Sequence, residues 1–125
     1  MGKEIISTPN APAAQGSYSQ AVKAGGLVYV SGQIPIDNAT GSLVTEGVHK
    51  ETRVVIDNLE AVLKAAGSGL NKVVKLGVFL KNIDDIKFIN EVLKERFAEL
   101  PARTTVQVSR LPKDVSVEID AIAVL

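Results

Sequence analysis

The chain has 125 residues, of which 46% are hydrophobic and 22% charged, and these figures suit one globular domain rather than a disordered segment. Lysine plus arginine equals aspartate plus glutamate at 14 each, so the formal net charge is zero and long-range attraction of nucleic acid or anionic lipid is weak. There is no cysteine, which excludes disulfides, thiolate nucleophiles and thiolate metal sites. With a single histidine, a zinc site is not expected either.

The N-terminal segment has neither a long apolar stretch nor an arginine-rich amphipathic pattern, so we expect no signal or transit peptide. No part of the chain approaches the ~20 apolar residues that cross a bilayer. We therefore expect a cytoplasmic protein, with an organelle as the alternative, and no membrane partner. Residues 7–17 are rich in proline, alanine and polar residues and predict an irregular lead-in.

Two strands joined by a tight turn are predicted next. Residues 27–34 are rich in β-branched side chains, and a strand near 19–24 would pair with them through a hairpin turn at Gly25 and Gly26. Alternation divides the second strand into one face with Leu27, Tyr29, Ser31 and Gln33 and another with Val28, Val30, Gly32 and Ile34. Residues 35–42 are a predicted loop.

An amphipathic helix and a buried strand follow. Apolar residues recur at three- and four-residue steps over 46–66, which predicts a helix with Thr45 as its N-cap and Gly67 at its end. The mostly apolar run 73–80 predicts a strand that is buried in a sheet.

A second helix is predicted after Asp84 or Asp85, either of which could cap it, and Pro101 ends it. Its apolar stripe is Ile86, Ile89, Leu93, Phe97 and Leu100. Two strands, 102–109 and 115–125, complete the chain around a tight connection. Alternation groups Arg103 with Thr105, Gln107 and Ser109 on the first strand, and Glu118 with Ser116, Asp120, Ile122 and Val124 on the second.

The predicted order β-β-α-β-α-β-β describes one α+β domain over residues 1–125, with two helices on one face of a sheet. The face away from the helices then carries Tyr29, Phe79, Ile122 and Val124. A half-apolar exposed sheet face often marks an association surface. We therefore expect a homo-oligomer, with sites between its subunits.

Charged residues within apolar strands need a partner or a function, and Arg103 and Glu118 each allow two interpretations. They could form a structural cross-strand salt bridge, which is the commoner situation. Alternatively, the planar guanidinium of Arg103 binds a substrate carboxylate through two hydrogen bonds, and Glu118 acts on a water molecule as a general base. Glu118 and Asp120 also form a carboxylate pair, but neighbours on one strand do not flank a glycosidic bond.

Other polar positions have ordinary interpretations beside functional ones. Ser31 and Gly32 could offer a hydroxyl and backbone N–H groups to an anion, or they could form a β-bulge. Tyr18 is expected to be a packing residue. Asn90 is expected at a solvated position on the second helix, and His49 on the protein surface rather than as a general base.

Several stretches stand out together: APAAQGSYSQA, VSGQIPID, DNLEAVLKAAG, VVKLGVFLKNIDD and PARTTVQVSRLPKDVSVEIDAIAV. In combination they resemble the YjgF/RidA family, the reactive intermediate deaminase A proteins, over nearly the whole chain. The resemblance implies a chorismate-mutase-like α+β fold of the bacillus type, a homotrimer with clefts between subunits, and no metal or cofactor. It also implies a 2-iminobutanoate/2-iminopropanoate deaminase that hydrolyses imines and enamines such as 2-aminoacrylate to 2-keto acids and ammonia.

The resemblance also implies roles for individual residues. Arg103 matches the arginine that binds the substrate carboxylate, Glu118 the glutamate that handles the attacking water, and Tyr18 the tyrosine that closes the cleft. The other matched positions bind substrate or line the cleft: Ser31, Gly32, Asn90 and Thr105.

The chain departs from the family pattern at a few positions, and two other functions stay open. Thr105 stands where the family commonly has cysteine, and Ser17 replaces a common proline, which bears on substrate preference and cleft shape. One alternative is a non-catalytic trimer that binds small carboxylates or a regulatory protein. The other is an endoribonuclease or translation inhibitor, but zero net charge and the lone His49 argue against it and against a nucleic-acid partner.

Overall fold

The computed structural model of the chain describes residues 2–125 and contains a six-stranded sheet with two helices on one of its faces. The elements are β1 (Glu4–Ile6), β2 (Ala21–Ala24), β3 (Leu27–Gln33), α1 (Val48–Ala65), β4 (Val73–Leu80), α2 (Ile86–Arg96), β5 (Ala102–Gln107) and β6 (Val117–Val124). Across the sheet the strand order is β1-β2-β3-β6-β4-β5, with β4 and β5 parallel and the other neighbours antiparallel. The predicted α+β class is confirmed.

The N-terminal half of the sheet contains a strand that the sequence prediction missed. β1 is a three-residue edge strand that pairs antiparallel with β2, and so short a run has too little alternation to be recognised. The predicted hairpin between β2 and β3 is present. Gly25 and Gly26 have φ of 60° and 79°, and positive φ at both central positions is what a two-residue type I′ turn requires.

α1 begins slightly later than predicted. Its N-cap is Gly47, which provides no side-chain hydrogen bond, so the prediction of Thr45 as the cap was wrong. Glycine suits this position because its φ is 108°, a value that residues with a Cβ rarely adopt. Gly67, with φ of 84°, follows the end of the helix as predicted.

The N-cap residue of α2 is Asp85, one of the two predicted candidates, but its side chain makes no capping hydrogen bond. The side-chain cap lies one turn earlier, where the Asn82 Oδ1 accepts the Asp84 N–H at 3.0 Å in the short turn that leads into the helix. The helix ends before Phe97, which remains only 5% exposed, whereas Leu100 is 60% exposed. The last residue of the predicted stripe therefore belongs to an exposed segment before Pro101.

The core lies between the sheet and the two helices. Alternate residues of the central strands point into it, as the predicted faces of β4 and β6 require. Its fully buried side chains include Leu76, Val78, Leu80, Val117 and Ile119 from the sheet and Val55, Leu59, Val62, Ile89 and Val92 from the helices. Full burial of one aliphatic side chain contributes about 1.5–3 kcal/mol, so this layer dominates the stability of the fold.

The other face of the sheet has no covering element within residues 2–125. Tyr29 is 44% exposed and Val124 39% exposed, while Phe79 and Ile122 are half-buried, as predicted. Cross-strand pairing extends this apolar surface into a row through Ile5, Val22, Tyr29 and Ile122. Assembly through this face stays a prediction.

Neither helix described between residues 2 and 125 combines the length and apolar character that crossing a bilayer requires.

Candidate functional site

The seven predicted site residues form two groups on opposite faces of the sheet. We call the first group the arginine half-site; it lies on the helix side and contains Asn90, Arg103 and Thr105. The second group, the glutamate half-site, lies on or beside the open face and contains Tyr18, Ser31, Gly32 and Glu118.

Arg103 reaches the helix side of the sheet because of its pairing within β5. It is opposite Leu76 of β4, whose side chain is fully buried under the helices. Its Nη1 donates to Oδ1 of Asn90 on α2 at 2.8 Å, so Asn90 is a partner of the arginine rather than a simple solvated residue. Within residues 2–125 the guanidinium has no salt bridge. Its remaining N–H groups are therefore available to an anion.

An open cavity of about 330 Å³ lies beside this guanidinium. Its lining is mostly apolar, with Asn90, Lys94 and Arg103 as the polar residues among Leu76, Leu93, Leu100 and Pro101. Thr105 lies two residues further along the same face of β5, opposite the buried Val78. Its hydroxyl is buried without a hydrogen-bond partner in the described chain, which is unusual because buried polar atoms are nearly always paired.

The glutamate half-site depends on an irregularity in β3. The pairing between β3 and β6 shifts between Val30 and Gln33, which confirms the β-bulge interpretation of this segment. The bulge reverses the alternation that the sequence predicts. Gln33 turns into the core and is 6% exposed, whereas Gly32 lies against Glu118 on the open face.

Gly32 is required by the position of the Glu118 side chain. A Cβ built on Gly32 would overlap the Glu118 carboxylate, so only a residue without a side chain lets the two strands hold it there. Partial burial raises the pKa of Glu118 above its ordinary value, and the nearby Asp120 carboxylate raises this pKa further. A raised pKa brings a glutamate closer to the range in which a general base works at neutral pH.

Tyr18 and Ser31 have different surroundings from those expected. Tyr18 is 53% exposed, and its hydroxyl accepts the backbone N–H of Gln15 at 3.3 Å, so it is not a buried packing residue. The Ser31 hydroxyl donates to the Ser19 carbonyl at 2.6 Å, and its backbone N–H donates to the Gln20 carbonyl at 3.0 Å. Because both donors are engaged within the chain, donation from Ser31 to an anion does not fit this arrangement.

A cavity of about 310 Å³ opens between these residues. Besides the predicted residues, Ile34 and Pro112 line it, and the sequence reasoning missed both. Pro112 begins a turn in which Lys113 and Asp114 have φ of 55° and 56°. Positive φ is unfavourable for residues that carry a Cβ, so two successive non-glycine residues with positive φ strain the backbone of this turn. Backbone strain of this kind occurs preferentially at functional sites. The tight LPKD connection was the signal that could have pointed to this turn.

Arg103 and Glu118 do not meet within one chain. β4 lies between their strands, and the Phe79 of β4 that pairs with Glu118 faces away from the helices, whereas Arg103 lies toward them. The cross-strand salt bridge considered from the sequence is therefore wrong. One subunit cannot direct both side chains at the same small molecule.

Comparison with known proteins identifies the family. The family model described as Endoribonuclease L-PSP matches residues 8–125. A RutC family protein of Pyrococcus horikoshii is 52% identical over 122 residues, which cover 97% of each chain. The 2-iminobutanoate/2-iminopropanoate deaminase of Mus musculus is 46% identical over 123 residues, which cover 98% of this chain and 91% of the mouse protein.

The chain belongs to the YjgF/RidA family.

Solved structures of family members have the same fold. RidA from an Antarctic Psychrobacter superimposes with a TM-score of 0.93 at 45% identity, covering 98% of this chain and 99% of RidA. Escherichia coli TdcF with bound serine gives a TM-score of 0.91 at 42% identity and 98% coverage of both chains. The recognition made from sequence motifs is confirmed, and the family includes proteins named as imine deaminases as well as one that holds a small amino acid.

Proposed function

We propose that this YjgF/RidA protein is a 2-iminobutanoate/2-iminopropanoate deaminase, which hydrolyses small imino acids, and the enamines in equilibrium with them, to 2-keto acids and ammonia. The observation that carries the proposal is the pair of half-sites: a guanidinium with free donors beside one cavity, and a desolvated carboxylate beside another. Relatives that are 45% to 48% identical bear this name, which supports the same reaction class.

The complete site is proposed to form between two copies of the chain. The half-sites face away from each other in one subunit, so a substrate that touches both needs the arginine half-site of one subunit and the glutamate half-site of its neighbour. A cyclic homotrimer makes such head-to-tail contacts. The apolar row on the open sheet face offers a surface for this assembly.

In the proposed reaction, Arg103 binds the substrate carboxylate, and the hydrogen bond from its Nη1 to Asn90 fixes the orientation of the guanidinium. Glu118 accepts a proton from water as the water oxygen bonds to the C=N carbon, and then gives that proton to the nitrogen, which yields a neutral carbinolamine. Glu118 next takes the proton of the carbinolamine hydroxyl and transfers it to the amino group, so that the C–N bond breaks and ammonia leaves as the C=O bond forms. Holding the carbon and the water together can lower the barrier by several kcal/mol.

The direct test measures pyruvate release from 2-aminoacrylate that is generated in situ, relative to the spontaneous rate. We expect Arg103→Ala to lower kcat/KM by about 10–100-fold, since a hydrogen-bonded charge contributes about 1.5–3 kcal/mol. Arg53→Ala is the matched control, because Arg53 is also an exposed arginine but forms an ion pair with Glu95 of α2. Equal acceleration by wild type and Arg103→Ala would end the proposal.

Two rival functions are tested in the same preparation. Binding without turnover is favoured if 2-oxobutanoate binds but no imine is hydrolysed faster than in buffer. RNA cleavage is suggested by the description of the family model. The single histidine, His49, offers Glu118 no partner for acid–base cleavage of RNA, because it lies outside both cavities, 3.4 Å from Glu91. RNA degradation by highly purified protein that disappears in Arg103→Ala would favour the ribonuclease instead.

A further inference from the structure

The cavity of the arginine half-site is larger than a single carboxylate requires. Its volume is about 330 Å³, whereas a closed cavity of about 150 Å³ already holds a benzene ring. A small imino acid whose carboxylate is bound to Arg103 therefore leaves part of the space unfilled. The lining that remains comes from Leu93 and Lys94 of α2 and from Leu100 and Pro101 before β5.

Lys94 is a second cation at this cavity. It follows Asn90 by four residues, so it lies one turn further along the same face of α2, about 6 Å away along the helix axis. Asn90 accepts the hydrogen bond from the Arg103 guanidinium, and both cations therefore border the same space. Among residues 2–125, no aspartate or glutamate lines this cavity. Its lining is thus cationic in a protein whose formal net charge is zero.

The positive charge of Lys94 is not neutralised by the side chains around it. Its Nζ forms no salt bridge within the described part of the chain. The two glutamates beside it on α2 have other partners. Glu91 lies 3.4 Å from His49, and Glu95 binds Arg53 at 2.8 Å. The ammonium group is therefore available to an anion that enters the cavity.

We propose that Lys94 binds a second carboxylate, so that the protein accepts dicarboxylic imino acids such as 2-iminoglutarate. This inference rests on the proposed deaminase function. Arg103 binds the carboxylate next to the C=N bond, and Lys94 binds the carboxylate at the end of the side chain. The methylene groups between the two carboxylates contact the apolar wall formed by Leu93, Leu100 and Pro101.

A second cation is also what lets a dianion stay close to the catalytic base. In the proposed site the substrate meets the glutamate half-site of the neighbouring subunit, where Glu118 and the nearby Asp120 are both carboxylates. They repel a second negative charge on the substrate, which weakens binding unless a cation compensates for it. Lys94 is that cation, and a hydrogen bond to a charged group improves binding about tenfold or more.

The experiment compares two imines of similar length that differ in the charge of the side chain. An L-glutamate oxidase makes 2-iminoglutarate in situ, an L-amino acid oxidase makes the uncharged counterpart from methionine, and semicarbazide traps residual imine. The quantity measured is the ratio of kcat/KM for 2-iminoglutarate to kcat/KM for the methionine-derived imine. Lys94→Met removes the charge but keeps the length of the side chain, and it should lower this ratio about tenfold. Lys94→Arg keeps the charge and should retain most of the ratio.

Lys87→Met is the matched control. Lys87 is another exposed lysine of α2 that does not line the cavity. It lies seven residues before Lys94, about 10 Å away along the axis, which is about one Debye length. The control should leave the ratio unchanged. All these substitutions keep good helix formers at exposed positions, so the fold should be retained. Raising the ionic strength should lower the ratio of wild type more than that of Lys94→Met.

Two results would overturn the inference. One is a ratio in Lys94→Met that equals the wild-type ratio. The other is a wild type that accelerates hydrolysis of the methionine-derived imine but not of 2-iminoglutarate, and the deaminase function would then stand without this substrate class. If wild type hydrolyses no imine at all, the deaminase proposal fails separately, and calorimetric binding of 2-oxoglutarate and 2-oxohexanoate tests the cavity. Selective weakening of 2-oxoglutarate binding by Lys94→Met would still support the second carboxylate site, and any other pattern would refute it.

Discussion

Mixed oligomers test whether the two half-sites come from different subunits. Arg103→Ala removes the arginine half-site from one version of the chain, and Glu118→Ala removes the base from another. Each variant alone should have a strongly reduced kcat/KM, because one half of its site is damaged. Because the two side chains lie on opposite faces of the sheet, each variant nevertheless retains the half-site that the other lacks. Co-expression with two different tags, followed by purification on both, yields only oligomers that contain both versions.

The expected activity follows from counting interfaces. In a cyclic trimer each site combines the arginine half-site of one subunit with the glutamate half-site of the next. Whether a mixed trimer contains one or two copies of either variant, a single junction joins two intact halves. Each mixed trimer should therefore have about one third of the wild-type activity. A mixed dimer would have about one half. The fraction of restored activity therefore also indicates the number of subunits, which can be checked by light scattering.

The control replaces two residues of the same half-site. Mixing Arg103→Ala with Asn90→Ala leaves every subunit with a damaged arginine half-site, so activity should not exceed the average of the two parent variants. The assay is pyruvate release from 2-aminoacrylate at equal protein concentration. If the Arg103 and Glu118 variants restore nothing when mixed, although the mixed oligomers form, the site is not shared between subunits and the reasoning fails.

Three further predictions concern the glutamate half-site and its support. Burial and Asp120 raise the pKa of Glu118, and the base must be ionised, so kcat/KM should fall on acidification through a pKa above that of an ordinary glutamate. Asp120→Asn should lower that pKa and shift the acidic limb of the pH–rate profile to lower pH. An unshifted profile would exclude coupling between the two carboxylates. Gly32→Ala should displace the Glu118 carboxylate and lower kcat by up to about 100-fold with the fold retained in thermal melting; wild-type kinetics would mean that the carboxylate position is unimportant. Gln20→Leu removes buried hydrogen bonds to Thr8 and Pro12, so it should lower the free energy of unfolding, measured by urea titration, by about 2–3 kcal/mol. A loss below about 1 kcal/mol would show that other contacts hold the lead-in segment.

The parts of the fold that follow regular periods could be predicted from the sequence. The alternation of Val117, Ile119, Ala121 and Ala123 predicts one buried face of β6, and all four are buried. β4 begins and ends at the residues predicted for it, 73 and 80. The polar residues on either side of this apolar segment mark where the buried strand must stop. The motifs around Arg103 and Glu118 were sufficient to recognise the family and to single out the charged residues.

The errors occur where a local irregularity or a tertiary contact decides the outcome. The bulge in β3 inserts one residue and thereby exchanges the faces of Gly32 and Gln33, and alternation cannot show this. β1 forms only because β2 offers it an edge. The side-chain cap before α2 comes from Asn82 of the preceding turn, whereas Asp85 occupies the N-cap position of the helix without a capping hydrogen bond, since such a bond depends on the backbone geometry of the turn.

The division of the site between two faces is also a tertiary property, and it explains why both interpretations of Arg103 and Glu118 stayed open. The face of Arg103 depends on the parallel pairing of β5 with β4, which sets it opposite the buried Leu76. The face of Glu118 depends on the antiparallel pairing of β6 with β4, which sets it opposite Phe79. Because Leu76 and Phe79 are an odd number of positions apart on one strand, their side chains point to opposite sides. One strand therefore separates the Arg103 guanidinium from the partly buried Glu118 carboxylate, which prevents their mutual neutralisation within one chain and leaves both free for the proposed site between two copies.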